Sequence, residues 1–186
     1  MASLIDYISS KHNCHIITIE DPIEMLFRHK KSVITQRQVG ADTESFETGL
    51  KYVLRQSPDV VMIGELRNLE MVNAAMTLAE SGLLCMVPLY APYAINALER
   101  IVKIFPSESR EFVRSRLADC LLLVLASRLF PAKTGKDKII AFEVLVNNEK
   151  VKKLVKAGDL LKLRNHLNPA LETSIRKLKK QGKIAW

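Results

Sequence analysis

Long hydrophobic runs are missing from this sequence of 186 residues. A membrane-spanning helix needs roughly 20 consecutive apolar residues, and the longest candidate here, residues 121–126, has only the length of a core segment. Residues 1–15 carry charges and lack the apolar segment of a secretory signal peptide. We therefore expect no membrane insertion.

Cysteine is scarce and poorly spaced for chemistry. Cys14, Cys85 and Cys120 lie far apart, and no CxxC pair occurs. An odd number of isolated cysteines is typical of reduced thiols and argues against a disulfide framework or a zinc site.

Positive charge is concentrated at the C-terminal end. Residues 1–132 hold 14 Lys/Arg and 15 Asp/Glu, whereas residues 133–186 hold 14 and 5. A basic block of this kind fits a nucleic acid or an acidic partner. Only Phe142 and Trp186 follow Pro131 as aromatic residues, too few for stacking on bases. The pattern favours a lysine-rich solvated face, and we expect no nucleic-acid partner.

Strand and helix patterns alternate along the chain, which predicts an α/β fold with a mostly parallel sheet. The segment 23–42 is rich in charge and is predicted to be irregular, and Gly135 is predicted to lie in a turn. The predicted strands are 15–19, 59–63, 83–87 and 138–146, and the predicted helices are 2–9, 45–56, 69–81, 96–104, 109–128, 149–157 and 169–181.

Two of the predicted strands end in acidic residues. Strand 59–63 is followed by Gly64 and Glu65, and strand 15–19 by Glu20 and Asp21. Open α/β sheets bind ligands beyond the carboxyl ends of their strands. Paired carboxylates there suit phosphoryl transfer, where one helps to hold Mg²⁺ and another orients or deprotonates the attacking water. A structural alternative stays open, in which core strands end in solvated turns that Glu20 and Asp21 cap.

The usual phosphate-binding loop is absent from these residues. Its pattern, GxxxxGK[ST], supplies backbone N–H groups and a lysine to the β- and γ-phosphates. No pair of the seven glycines has that spacing before a Lys-Ser or Lys-Thr.

Several ordered motifs nevertheless resemble one family, the type IV pilus retraction ATPases, a PilT-like branch of the secretion ATPases. The likeness runs through the whole chain, and the segment MASLIDYI (1–8) resembles the helix that follows the phosphate-binding loop in that family. The other motifs are ITIEDPIE (17–24), TQRQVGADTESF (35–46), LRQSPDVVMIGELRN (54–68), AESG (79–82) and LETSIRKLKKQGKI (171–184).

This resemblance implies a RecA-like P-loop NTPase core that is truncated before the Walker A loop. The core would occupy residues 1–128, and a late strand with a basic helical C-terminal region would occupy 129–186. It further implies ATP with Mg²⁺ as cofactor of a complete family member, a hexameric ring, an inner-membrane pilus platform protein as partner, and a cytoplasmic location at the pilus base.

Roles for the acidic residues follow from the resemblance. Glu20 would be the general base or water-orienting carboxylate, with Asp21 and Glu24 beside it. Glu65 would lie on the Walker B strand and help to organise Mg²⁺ and water.

Arg37, Arg55 and Arg67 would be nucleotide-binding or charge-stabilising residues, and Tyr90 would stand where the family has a histidine. Two structural alternatives stay open: Arg67 as an ion-pair partner and Arg55 as a solvated helix end.

Departures from the family pattern bear on activity. Asn68 replaces the usual aspartate, Leu83 replaces a histidine after Gly82, and Tyr90 replaces the histidine of the histidine box. Tyrosine has a pKa of ~10 and cannot exchange protons near pH 7 as histidine does. The lack of a four-cysteine zinc motif argues against the pilus-extension and type II secretion branches.

We therefore predict the C-terminal motor-domain portion of a retraction ATPase that couples ATP hydrolysis to pilus disassembly, with little or no hydrolysis by this chain alone. The alternative is a naturally degenerate, non-catalytic paralogue that assembles with an active motor.

Overall fold

The computed structural model of the chain describes residues 1–135 and 137–184. These residues form two compact units, Met1–Leu89 and Tyr90–Trp186. In the first unit the helices are α1 (Ala2–Lys11), α2 (Phe46–Val53) and α3 (Leu69–Glu80), and the strands are β1 (His15–Glu20), β2 (Val33–Gln38), β3 (Val60–Ile63) and β4 (Leu84–Met86).

A four-stranded sheet organises the first unit. Its strand order is β2-β1-β3-β4, and all three pairs of neighbours are parallel. One face packs on α1, where Ile5 belongs to the same buried hydrophobic cluster as Ile16 and Val60. On the other face Gly49 of α2 lies so close to Ile19 that a Cβ on the glycine would be 3.1 Å from the isoleucine Cδ1. Because both faces are covered, β1 and β3 are buried almost throughout, and β3 is entirely apolar, as is typical of buried parallel strands.

Strand β2 corrects the prediction of an irregular segment at 23–42. Residues 33–38 pair with β1 along its whole length, from His15 opposite Val33 to Glu20 opposite Gln38. The sequence VITQRQ is mostly polar because β2 lies at the edge of the sheet, and an edge strand lacks the hydrophobic run that indicates a buried strand.

The second unit contains α4 (Ala94–Lys103), α5 (Arg110–Cys120), α6 (Glu149–Ala157) and α7 (Leu171–Lys180), with the strands β5 (Leu123–Pro131) and β6 (Lys138–Val146). The two strands form an antiparallel hairpin. Gly135 lies in its connection with a φ of 71°, a left-handed conformation that favours glycine and that agrees with the predicted turn.

The predicted helix at 109–128 is wrong after Cys120. The side-chain amide of Asn147 donates to the carbonyl oxygens of Ala118 (3.0 Å) and Leu121 (2.8 Å), and it thereby satisfies acceptors that a helix end leaves free. The chain then continues as β5. An apolar run such as 121–126 fits a strand or a helix equally well, so its hydrophobic periodicity cannot distinguish the two.

The predicted division at 128/129 differs from the observed units. Position 128 lies within β5, where Arg128 pairs with Ala141, and the compact units divide between Leu89 and Tyr90. The division into an ATPase core and a C-terminal region therefore remains a proposal. Of the predicted C-terminal region, Lys136, Ala185 and Trp186 lie outside the described residues.

Within the described part of the chain, no helix has both the length and the apolar character needed to cross a bilayer.

Candidate functional site

The acidic ends of β1 and β3 are neighbours. Ile19 pairs with Ile63, and the backbone N–H of Gly64 donates to the carbonyl oxygen of Ile19 at 2.7 Å. A Cβ on Gly64 would lie 3.1 Å from that oxygen and 3.2 Å from the Cα of Glu20. A glycine is therefore needed where the two strand ends approach each other. This pairing brings Glu20 and Glu65 to the same edge of the sheet.

Glu20 is a buried carboxylate that is held on one side. The residue is 7% exposed. The hydroxyl of Thr18 donates to Oε1 at 2.7 Å, and the side-chain amide of Gln36 donates to the same oxygen at 3.1 Å. Among the described residues, none donates a hydrogen bond to Oε2, which is not sealed from solvent. One oxygen is fixed and the other is available, an arrangement that suits the positioning of a water molecule.

Asp21, Glu65 and Arg67 form an ion-pair network beside Glu20. Arg67 Nε lies 2.8 Å from Glu65 Oε2, and Nη2 lies 3.1 Å from Asp21 Oδ2. The guanidinium also lies over the ring of Phe46, 5.5 Å from its centroid. Glu65, and then Asp21, raise the pKa of Arg67 by hydrogen bonding and by charge. The ion-pair alternative for Arg67 thus agrees with the contacts, and the network links the ends of β1 and β3 to the start of α2.

Two of the predicted arginines are engaged elsewhere. Arg37 donates through Nη2 to the carbonyl oxygen of Asp42 at 2.8 Å. Arg55 is exposed, and its guanidinium lies 5.4 Å from the centroid of the Tyr52 ring. Neither is joined to Glu20 or Glu65 by a hydrogen bond or ion pair between described residues. Their roles towards a nucleotide remain predictions.

The remaining predicted residues, Glu24 and Tyr90, are both exposed, Tyr90 by 82%. Tyr90 belongs to the second unit, where its carbonyl oxygen accepts a hydrogen bond from Arg100 at 2.8 Å. That contact uses the backbone, so the phenol takes no part in it.

Sequence reasoning missed Thr18 and Gln36 as partners of Glu20. Residues two apart on a strand point to the same face, so the spacing of Thr18 and Glu20 already places them together. Gln36 pairs with Thr18 in the register of β1 and β2, but it lay in the segment that was predicted to be irregular. Without β2 there was no reason to place its amide near Glu20.

Asn68, one of the departures from the family pattern, begins α3. Its Oδ1 accepts a hydrogen bond from the backbone N–H of Met71 at 2.9 Å, which caps the helix. Its Nδ2 donates to Glu47 Oε1 at 2.9 Å, and this bond is the main cause that lowers the pKa of Glu47. An aspartate could cap the helix equally well, but it could not donate to Glu47.

The carboxylates are also suitable for a divalent cation that is bound with a nucleotide. The described residues contain no group of three or more His, Cys, Asp or Glu arranged to hold a metal ion by themselves. Mg²⁺ in nucleotide sites, however, uses one or two carboxylates together with the phosphates. Glu65 has the required oxygen ligands, and in this structure Arg67 pairs with one of them.

Comparisons with known proteins agree with the resemblance seen in the motifs. The model of the family described as "Type II/IV secretion system protein" matches residues 1–157. The "Type IV pilus ATPase PilU" of Pseudomonas aeruginosa is 38% identical over 193 residues, which cover 100% of this chain and 50% of that protein. The "Twitching motility protein" of Neisseria gonorrhoeae is 34% identical over 192 residues, covering 100% of this chain and 51% of that protein.

Solved structures agree as well. The crystal structure of the pilus retraction motor PilT with bound ADP matches with a TM-score of 0.90 and 40% identity, over 99% of this chain and 54% of that one. The Legionella pneumophila ATPase DotB, at 23% identity and a TM-score of 0.87 over 99% of this chain and 53% of that one, shows the fold alone. The predicted α/β class, a parallel sheet flanked by helices, is confirmed. The chain spans about half the length of the relatives that it matches.

Proposed function

Because the chain belongs to the Type II/IV secretion system protein family and is PilT-like, we propose that it forms the C-terminal motor-domain portion of a type IV pilus retraction ATPase. The relatives named as pilus ATPases and as a twitching motility protein support this role. In it, ATP hydrolysis would be coupled to pilus disassembly.

The observation that carries the proposal is the environment of Glu20. A buried carboxylate with one oxygen held and one oxygen available lies next to the end of the strand that bears Glu65. Water would lose a proton to Oε2 of Glu20 while its oxygen attacks the γ-phosphorus. The bond from that phosphorus to the β–γ bridging oxygen would break, and ADP would leave with the electron pair.

Glu65 would hold Mg²⁺ together with the phosphates, and the ion would neutralise phosphate charge. Arg67, paired with both Glu65 and Asp21, would keep these carboxylates in place and compensate their charge before a nucleotide binds. Arg37, Arg55, Asp21, Glu24 and Tyr90 remain candidates for contact with the nucleotide.

The chain would work in a hexameric ring in the cytoplasm, at the inner-membrane base of the pilus, against a platform protein. Since its 186 residues contain no GxxxxGK[ST] loop, the phosphates need further donors. We expect the isolated chain to hydrolyse Mg-ATP at or near the background rate. Turnover by the isolated chain that is lost in Glu65→Gln would refute that expectation.

A second candidate function is that of a non-catalytic paralogue that assembles with an active pilus ATPase. It is favoured by Asn68, Leu83 and Tyr90, which stand where the resembling family has an aspartate and two histidines. In this case the fold would be retained for assembly, and the carboxylates would be dispensable for chemistry.

A motility experiment separates the two candidates. In cells that depend on the gene for twitching, Glu20→Gln and Glu65→Gln are each introduced into the native protein. A catalytic role predicts that pili are still made but that twitching is lost, because loss of a general base costs about 10²–10⁴-fold in rate.

Glu44→Gln is the matched control, since Glu44 is an exposed carboxylate on the same unit. It should leave twitching intact. If deletion of the gene abolishes twitching while Glu20→Gln and Glu65→Gln do not, the non-catalytic paralogue is the better description.

A further inference from the structure

We propose that Gln36, together with Thr18, is a positioning residue that orients Glu20 and ties this carboxylate to the loop of residues 21–32. The inference deepens the proposed function and rests on it as far as catalysis is concerned. The orientation itself is a property of the folded chain and can be tested without any hydrolysis.

Gln36 connects three parts of the first unit through one amide group. Its Nε2 donates to Glu20 Oε1 at 3.1 Å and to the carbonyl oxygen of Met25 at 2.9 Å. Its Oε1 accepts from the backbone N–H of Phe27 at 2.8 Å. Both donor hydrogens and the acceptor are therefore used, and the amide has one orientation that satisfies all three partners. A shift of the loop at 25–27 would move the amide and so the carboxylate.

Thr18 fixes the same oxygen from within the sheet. It is fully buried, so its hydroxyl needs a partner, and Glu20 Oε1 is that partner at 2.7 Å. Two donors on Oε1 leave Oε2 as the oxygen that can accept a proton from water. Rotation of the carboxylate would break both hydrogen bonds.

The loop that Gln36 holds has an exposed tip. Met25 is 54% exposed and Leu26 is 81% exposed, while Phe27 packs against the core beneath α1. Contact at this tip would therefore reach the backbone groups that Gln36 binds, since one belongs to Met25 itself and the other to Phe27, the residue after Leu26. The geometry links a surface feature to the carboxylate by two hydrogen bonds through a single side chain.

A purely structural role for Gln36 would be to fasten the loop to the sheet. Gln38 allows the two roles to be separated, because it lies on the same face of β2 and its Oε1 accepts from the backbone N–H of Ile23 at 3.1 Å. The side chain of Gln38 thus fastens the loop, and among the described residues no side-chain hydrogen bond joins it to Glu20. It is the matched control for Gln36.

The first experiment records the side-chain amide resonances of Gln36 and Gln38 in ¹H–¹⁵N spectra of the 186-residue chain. In Glu20→Ala we expect the Gln36 amide protons to lose the downfield shift that a carboxylate acceptor causes, while those of Gln38 stay unchanged. If the Gln36 resonances do not respond, or if both amides respond alike, the orientation is not set by Gln36 and the proposal is overturned.

The second experiment measures Mg-ATP turnover by the assembly purified from cells through a tag on this chain. We expect kcat to fall about tenfold in Gln36→Ala and in Thr18→Val with KM for ATP unchanged, because misplacing a catalytic group lowers the rate without weakening binding. Gln38→Ala should keep the wild-type kcat.

Thr18→Ser provides the conservative rescue. Serine keeps the hydroxyl donor but loses a methyl group, whereas valine keeps the shape and loses the donor. Orientation by hydrogen bonding predicts that serine retains kcat within about threefold and valine does not. A packing role predicts the reverse order, and that order would overturn the proposal. If Glu20→Gln itself leaves kcat unchanged, the proposed function fails, and the amide spectra alone decide on the orientation.

Discussion

Among the residues that the structure describes, each compact unit buries one glutamate, and the two side chains have different surroundings. Glu20, 7% exposed, receives two side-chain hydrogen bonds on one oxygen. Glu143 of β6, 1% exposed, receives a backbone hydrogen bond on each oxygen: Oε1 from the N–H of Ala94 at 2.6 Å and Oε2 from the N–H of Leu171 at 3.4 Å. Ala94 and Leu171 are the first residues of α4 and α7.

The difference separates a buried carboxylate that the backbone holds by both oxygens from one that keeps an oxygen available. The start of a helix presents unpaired N–H groups and a partial positive charge, so Glu143 compensates two helix ends at once. With both of its oxygens engaged, Glu143 joins β6 to both helices. Glu20 keeps one oxygen available, and it does so at a strand end where ligands bind in α/β sheets.

The largest effect expected from this contrast is on stability. Glu143→Ala should lower the free energy of unfolding by about 3 kcal/mol, because two buried N–H groups lose their acceptor. Glu20→Ala should cost less, about 1–2 kcal/mol, because only the fully buried Thr18 hydroxyl loses its acceptor while the half-buried Gln36 can be rehydrated. Urea unfolding, with amide hydrogen exchange followed separately in each unit, measures both values.

Glu143→Gln is the control, because its carbonyl oxygen still accepts one of the two hydrogen bonds and the loss should be intermediate. If Glu143→Ala and Glu20→Ala lower the free energy of unfolding equally, the different hydrogen bonding of the two glutamates does not affect stability.

A smaller effect is expected at the exposed pair of Asn68 and Glu47. The pKa of Glu47 is lowered from 4.5, mainly by the hydrogen bond from Asn68. The ionised Glu47 carboxylate therefore stabilises the fold above pH 4.5, and this stabilisation is lost as the pH falls through the lowered pKa. Asn68→Asp keeps the helix cap and replaces the donor by a second carboxylate. At pH 7 it should destabilise the protein by at most about 1 kcal/mol.

The wild type and Asn68→Asp should become equally stable as the pH is lowered below the pKa of Glu47. Asn68→Ser, which retains a capping oxygen and adds no charge, separates the charge effect from the cap. A loss in Asn68→Asp that is independent of pH would argue against the hydrogen bond as the cause.

The smallest effect is expected at Asp119 in the second unit, which is 47% exposed and pairs with Lys152 at 2.8 Å and Lys156 at 3.0 Å. These contacts, first the hydrogen bond from Lys152, lower the pKa of Asp119. Their contribution to the stability of the fold is therefore present above pH 3.8 and is lost in more acidic solution. Asp119→Asn should lower Tm slightly at low salt, and the difference should vanish near about 1 M salt. A difference that persists in high salt would indicate packing instead of charge.

The two units also differ in net charge and in how far their strands are buried. The first unit has 8 Lys/Arg and 11 Asp/Glu, and the second has 20 and 9. In the first unit β1 and β3 are covered on both faces, whereas one face of the β5–β6 hairpin exposes Leu125 by 50% and Leu129 by 61%. Hydrophobic runs predicted β1 and β3 well because burial on two faces requires them.

The site was predictable in part. Glu20 and Glu65 follow short runs rich in isoleucine and valine that favour buried strands, so their place at strand ends could be inferred from the chain. The contacts of Arg67 agree with the ion-pair alternative, and its role towards a nucleotide stays a prediction. Thr18 and Gln36 could not be assigned, because their roles depend on the pairing of β1 with the polar strand β2.

The sequence by itself determined which segments become buried strands, where their acidic ends lie and which family the motifs resemble, since local apolar runs and spacing record these features. Tertiary structure alone decided which polar groups meet: Gln36 with Glu20, Asn68 with Glu47, and Glu143 with the starts of α4 and α7. A hydrogen bond needs two partners at about 3 Å, and the position of the second partner is set by strand register and helix packing.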